Sequence, residues 1–255
     1  MEHLHDDDAP VGRVLTRRDA VVLLGGMSAT GLLTLYGCSS SGRLEADTVA
    51  QAAGSTATCA VKPEMTEGPY FVDEKLDRRD IRSDTGTGAA REGTLFTLIF
   101  NVSRVQPNAC TPLPGAQVDV WHCDALGVYS DAVDRSFNTR GQNWLRGFQK
   151  TDSKGIATFT TVFPGWYPGR ASHIHFKVRG PAPSGSPFDF TSQLFFTEDF
   201  LATAYAVAPY DSKSDSGRRR NAADGIFQRG GSELTVAPSR SSSGYEATLH
   251  IGLAI

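Results

Sequence analysis

The 255-residue sequence contains no GxGxxG, no GxxxxGK[ST] and no HExxH. Those absences remove the glycine-rich cradles for nucleotide phosphates and the helical histidine pair of a zinc protease. An excess of positive charge is also missing. There are 25 Lys and Arg against 28 Asp and Glu, a formal net charge of −3. Nucleic-acid binding is not expected from that balance, and the one basic run, Arg218-Arg219-Arg220, reads as a solvated loop. Long, strongly apolar runs are lacking. Ala20 to Tyr36 is uncharged, but Gly25, Gly26, Gly31 and several Ser and Thr leave it milder than the ~20 apolar residues of a membrane span. Cysteine is scarce: Cys38, Cys59, Cys110 and Cys123 match no zinc spacing.

The N-terminus reads as a targeting segment. Thr16-Arg17-Arg18-Asp19 precedes the apolar stretch, the pattern of a twin-arginine (Tat) export signal. That pathway carries folded proteins, so a cofactor can be loaded before export. Leu35-Tyr36-Gly37-Cys38 resembles a bacterial lipobox, with Tyr36 an unusual residue at its position. A lipid on Cys38 would tether the protein to the outer face of a membrane. In an exported chain, two of the other three cysteines are expected to pair, leaving one thiol free or buried. Residues 39–58 are small and polar and read as a flexible tether. The expected organisation is a signal over 1–38, a tether over 39–58 and one folded domain over 59–255.

Within that domain, β-branched and aromatic runs bounded by turn residues predict strands over Thr94–Val102, Ala116–Trp121, Ser192–Thr197 and Tyr245–Leu253. Phe148 to Gly155 reads as a strand entering a turn, and Ala157–Val162 as the returning arm of a hairpin. Gly180 to Pro187 reads as a loop and Glu198 to Ala208 as one short helix. Asp73 to Arg91 reads as irregular surface chain. Many short strands with frequent turns predict a mainly β fold, an antiparallel β-sandwich with irregular loops and little helix.

The stretch that carries chemistry is PGWYPGRASHIHF, Pro164 to Phe176. On a strand, His173 and His175 point to the same face. Tyr167 and Arg170 stand just upstream, and Tyr129 sits in VWHCDALGVYSD. A phenol has a pKa near ~10, so it ligates a metal only by losing its proton to a strong Lewis acid. Two phenolates and two imidazoles suit hard, trivalent iron, whereas zinc more often takes Cys, His or carboxylates. His122 reads as a packing or hydrogen-bonding residue.

The runs GAQVDVWHCDALGVYSD, GFQKTDSKGIATFTTVFPGWYPGRASHIHFKV and SQLFFTEDF resemble the intradiol ring-cleavage dioxygenases, which include catechol, protocatechuate and hydroxyquinol dioxygenases. TEGPYFVD resembles a segment near the domain start in exported members. The resemblance covers Cys59 to the C-terminus and is sharpest between Pro114 and Phe200. It implies ferric ligands at Tyr129, Tyr167, His173 and His175, with Tyr167 the axial tyrosine that substrate displaces. It implies active-site roles for Arg170 and Gln193, and a reaction of small aromatic diols with O2 to give cis,cis-muconate-type diacids. The catechol branch's long N-terminal helical region, which supports dimerisation, is replaced here by signal and tether. The sequence sets no oligomeric state. A non-enzymatic β-sandwich binding module retaining the fold is the alternative.

Overall fold

The computed structural model describes residues 60–182 and 184–255. The export signal, Cys38, the tether and Cys59 lie outside the described residues.

Among the described residues, two five-stranded sheets form the domain. In the first, β1 (Leu95–Gln106) is the spine. It pairs along one edge with β10 (Tyr245–Leu253) and along the other with β5 (Ile156–Val162) and β2 (Ala109–Pro112). The short β9 (Ser239–Arg240) joins β10. In the second, the order is β4 (Arg146–Lys150), β3 (Gln117–Trp121), β6 (His173–Pro181), β7 (Pro187–Phe196) and β8 (Thr235–Val236).

Period-2 alternation brings the sheets together. Phe96, Leu98, Phe100 and Val102 of β1 and Ile174, Phe176 and Val178 of β6 share one apolar core. Phe100 meets Phe176 across it at 5.2 Å between ring centroids. Each such buried ring stabilises the fold by about 1.5–3 kcal/mol. The other face of β6 carries His173, His175 and Lys177. Loops cover that face, so both histidines are buried although they point away from the core.

The mainly β fold with little helix is as expected, and the final strand has the expected bounds. Its pairing with β1 is parallel, as is that of β7 with β8, so the sheets are mixed rather than purely antiparallel. The expected hairpin is absent. β4 pairs with β3 in one sheet, while β5 pairs with β1 in the other. The turn at Asp152–Gly155 therefore hands the chain across the sandwich. A turn motif fixes the reversal of the chain but not the strand each arm pairs with. The expected helix is shorter than Glu198–Ala208: α1 covers Glu198–Ala204, with two acidic residues in its first turn favouring the helix dipole. Cys110 is disulfide-bonded, to a partner outside the described residues. Cys123 is the free, buried thiol.

Candidate metal centre

The two histidines are placed by β6, the central strand of its sheet. Their register fixes their neighbours: His175 lies opposite Trp121 on β3 and Gln193 on β7, and His173 opposite Phe195. His173 Nδ1 sits 2.6 Å from the carbonyl oxygen of Ala171. A carbonyl only accepts, so Nδ1 carries the proton and Nε2 presents a bare lone pair. His175 Nε2 lies 3.0 Å from that atom.

The tyrosines come from loops. Asp124 builds the first: its Oδ1 accepts from the backbone N–H groups of Leu126 and Val128, both at 2.9 Å. Gly127, at φ +84°, supplies the left-handed residue of this turn. The carbonyl of Tyr129 then accepts from Thr139 Oγ1 at 2.6 Å, and Tyr70 stacks on its ring at 4.4 Å. Tyr167 follows Pro164-Gly165-Trp166. Gly165 N–H donates to the Asp124 carbonyl at 2.9 Å, locking the two tyrosine loops together. A β-carbon at Gly165 would collide with the backbone oxygen of Ala125, and one at Gly127 with that of Trp166.

The result is convergence on His173 Nε2. Tyr167 Oη is 3.3 Å from it and Tyr129 Oη 3.5 Å. Three groups crowd one lone pair, which can accept one hydrogen well. Donor atoms each about 2.1 Å from a shared ion would lie roughly 3 Å apart, so these spacings fit a metal better than a hydrogen-bond cluster. Among the described residues, no three His, Cys, Asp or Glu side chains gather where they could share an ion, so a metal held here would need the phenols.

Electrostatics agree with that donor set. Burial, with Arg170 adding to it, holds His173 down to about 3. Burial and then His173 hold His175 well below the usual imidazole range. Both rings are neutral at physiological pH, as ligands must be. Burial, then the neighbouring Tyr167, raises Tyr129 well above an ordinary phenol. Only a strong cation would draw the proton off it.

Arg170 and Gln193 are joined to each other. Arg170 Nη2 donates to Gln193 Oε1 at 2.6 Å, and Gln193 Nε2 donates to the Thr66 carbonyl at 2.9 Å. Arg170 Nε also donates to Asp224 Oδ2 at 2.9 Å. His122 stands apart from the donor set: its Nδ1 lies 2.7 Å from the Cys123 carbonyl and its Nε2 2.8 Å from Thr161 Oγ1.

Sequence reasoning missed Tyr70, Trp121, Arg146 and Asp224. Buried Arg146 donates to the Tyr70 carbonyl at 2.5 Å and to Ser130 Oγ at 2.9 Å, clamping Tyr70 beside Tyr129. Trp121 was visible in a predicted strand, but only the observed register sets it beside His175. A concavity of about 500 Å³ opens beside the Tyr70 ring, with Pro69, Asp131, Ala132, Val133 and Arg140 completing its lining.

Two mixed sheets with two imidazoles and two phenols gathered at one end of a central strand define the class, a His-and-Tyr β-sandwich. The dioxygenase family model matches residues 66–216. An intradiol ring-cleavage dioxygenase from Tetranychus urticae is similar over 77% of this chain and 94% of its own, at 32% identity and a TM-score of 0.64. The dioxygenase domain of a carbohydrate-binding fusion from Streptomyces sp. SirexAA-E is similar over 77% and 99%, at 27% identity and a TM-score of 0.53. Catechol 1,2-dioxygenase 2 of Acinetobacter lwoffii is 29% identical over 57% of this chain, which spans 60% of that relative's length. The chain belongs to the intradiol ring-cleavage dioxygenase family.

Proposed function

We propose that the protein is a non-haem Fe(III) dioxygenase that cleaves catechol-type rings with O2 between the two hydroxyl-bearing carbons. The observation that carries this reading is the ring of donors around His173 Nε2, with His175 Nε2, Tyr167 Oη and Tyr129 Oη all within 3.5 Å. Ferric iron held by these four residues would supply a Lewis acid able to activate an aromatic diol toward O2. Both oxygen atoms enter the product, a cis,cis-muconate-type diacid. Oxidation of the two carbons balances the reduction of O2, so no external reductant is needed.

The residues divide the work. His173 and His175 are neutral imidazoles on a rigid strand. Tyr129 is buried and tied by Thr139, so it stays as an anionic ligand. Tyr167 is half-buried on a loop, so with iron bound it would be the more accessible of the two phenols, and its Oη could hold one of the two diol protons. Arg170, buried and held by Asp224 and Gln193, provides a fixed positive charge for anionic character developing on the ring. Residues 1–38 support export through the Tat pathway, and Cys38 a lipid tether, on sequence alone. Mass spectrometry of the mature protein from a native host tests that tether, which an unmodified Cys38 would rule out.

Iron-loaded protein tests the main reading. Two iron-bound phenolates give a burgundy charge-transfer band, and catechol should drive equimolar oxygen uptake and muconate formation. Colourless protein at full iron occupancy would sink the proposal. A coloured protein that binds catechols without consuming O2 would favour a binding module instead.

A further inference from the structure

The two histidines are aimed by different means. A metal-bound histidine almost always fixes its ring by donating its second N–H to an acceptor. His173 does this through Ala171. His175 does not: its Nδ1 is buried and has no hydrogen-bond partner among the described residues. Something else must hold the ring.

Its two flanks supply the answer. Trp121, directly opposite on β3, lies flat against the imidazole at 5.1 Å between centroids and 8° between planes. Gly68 also abuts the ring. A β-carbon there would fall 3.0 Å from His175 Cε1, at a backbone φ of +73° that few side chains tolerate. Trp121 is pinned in turn by Phe71 at 4.7 Å, and Phe71 lies under the Lys177 ammonium at 4.7 Å. Tyr70, from the same Gly68–Phe71 segment, stacks on Tyr129. One short segment therefore presses on an imidazole and a phenol together.

We propose that Trp121 and Gly68 are positioning residues that aim His175 Nε2 at the metal by ring stacking and close packing, in place of the missing hydrogen bond. The inference rests on the ferric reading of the site. Stacking fixes the plane of the ring but leaves its tautomer unassigned, so His175 is the ligand whose orientation depends on apolar contact. A flat hydrocarbon ring at position 121 should serve nearly as well as indole, and a branched aliphatic chain should not.

The test titrates metal-free wild type, Trp121→Phe, Trp121→Leu and Gly68→Ala with ferric iron against nitrilotriacetate. The visible band and the melting of the metal-free proteins are followed in parallel. Trp121→Leu should weaken iron binding by about 10–100-fold, the usual effect of losing a ligand's outer support, and shift the band. Trp121→Phe should stay within about threefold of wild type, and Gly68→Ala should shift the band by displacing the ring. If Trp121→Leu matches wild type in both readouts, or Trp121→Phe falls as far as Trp121→Leu, stacking does not aim the ring. If Trp121→Leu does not fold, Gly68→Ala decides, and unchanged affinity and band overturn the proposal. A purely structural role would lower melting and leave iron affinity and band alone. A wild type that takes up iron without colour would overturn the ferric reading, and this inference with it. Unaltered variants beside a coloured wild type would overturn the inference alone.

Discussion

Arg170 and Asp224, 54 positions apart in the chain, form a buried ion pair with Nε to Oδ2 at 2.9 Å. The same carboxylate accepts from the N–H groups of Ala171, Ile226 and Phe227. It therefore joins the segment leading into the histidine-bearing strand to the polar loop after α1. Asp224→Ala would leave a buried guanidinium without its counter-charge, a loss of about 3–5 kcal/mol. We expect that destabilisation in urea unfolding. Asp224→Asn should fold better yet still turn over slowly, because Arg170 loses its anchor. Equal kcat/KM for Asp224→Asn and wild type would contradict the positioning of Arg170.

Arg146 is a second buried cation, with no carboxylate at ion-pair distance among the described residues. It donates instead to Ser130 Oγ and to the carbonyls of Ser130 and Tyr70. Lysine cannot reproduce that fork. Each carbonyl left without a donor costs about 1–3 kcal/mol, so Arg146→Lys should lower stability by at least that much. It should also free Tyr70 from Tyr129 and move the charge-transfer band. A variant as stable as wild type would show the clamp to be idle.

Acid should loosen the loop held by Asp84. Its carboxylate accepts from the N–H groups of Asn143, Thr87 and Gly86. These bonds, that of Asn143 foremost, hold its pKa below the ordinary carboxylate value despite burial. A depressed folded pKa means the stabilisation is full above the unfolded value of about 3.9 and is lost as pH falls through the folded one. Unfolding at pH 3 and pH 7 should show a smaller difference for Asp84→Asn than for wild type. An identical acid limb would assign the loss to other groups.

The two tyrosines should fail differently. Tyr167→Phe should bleach much of the band and slow turnover while retaining iron, because the three donors that remain are all buried. Tyr129→Phe removes the buried anionic donor and should lose iron to a chelator at least about tenfold faster, in the range seen when a site's supports are removed. Matching spectra and iron retention in the two variants would mean the phenols are interchangeable.

Gly165→Ala and Gly127→Ala should separate the tyrosine loops, because either β-carbon would meet backbone of the opposite loop rather than a movable side chain. We expect both to lower melting of the metal-free protein and to weaken iron uptake in step. Alanine variants that melt and bind like wild type would show that the loops can part at no cost.

Local pattern carried much of this fold. The alternation of Tyr245–Leu253 fixed β10, and His-x-His fixed which face of β6 both imidazoles share. Local pattern could not assign partners. The parallel pairing of β10 with β1 joins segments about 150 positions apart, and nothing in either strand names the other. The sheet change after Asp152 and the bond from Arg170 to Asp224 were hidden for the same reason. The meeting of Tyr129 and Tyr167 was legible through family resemblance and not through spacing. Trp121 stood in plain view inside VWHCDALGVYSD, but its purpose emerges only when register sets it against His175.

Of the four donor side chains, two ride on a strand hydrogen-bonded on both sides and a third is wedged under Tyr70. The fourth, Tyr167, comes from the loop ahead of that strand and is half-buried. If the four hold iron as proposed, the Pro164–Gly169 bend is the place to alter the size of ring accepted, because changes there leave the paired strand and the Tyr70 stack untouched.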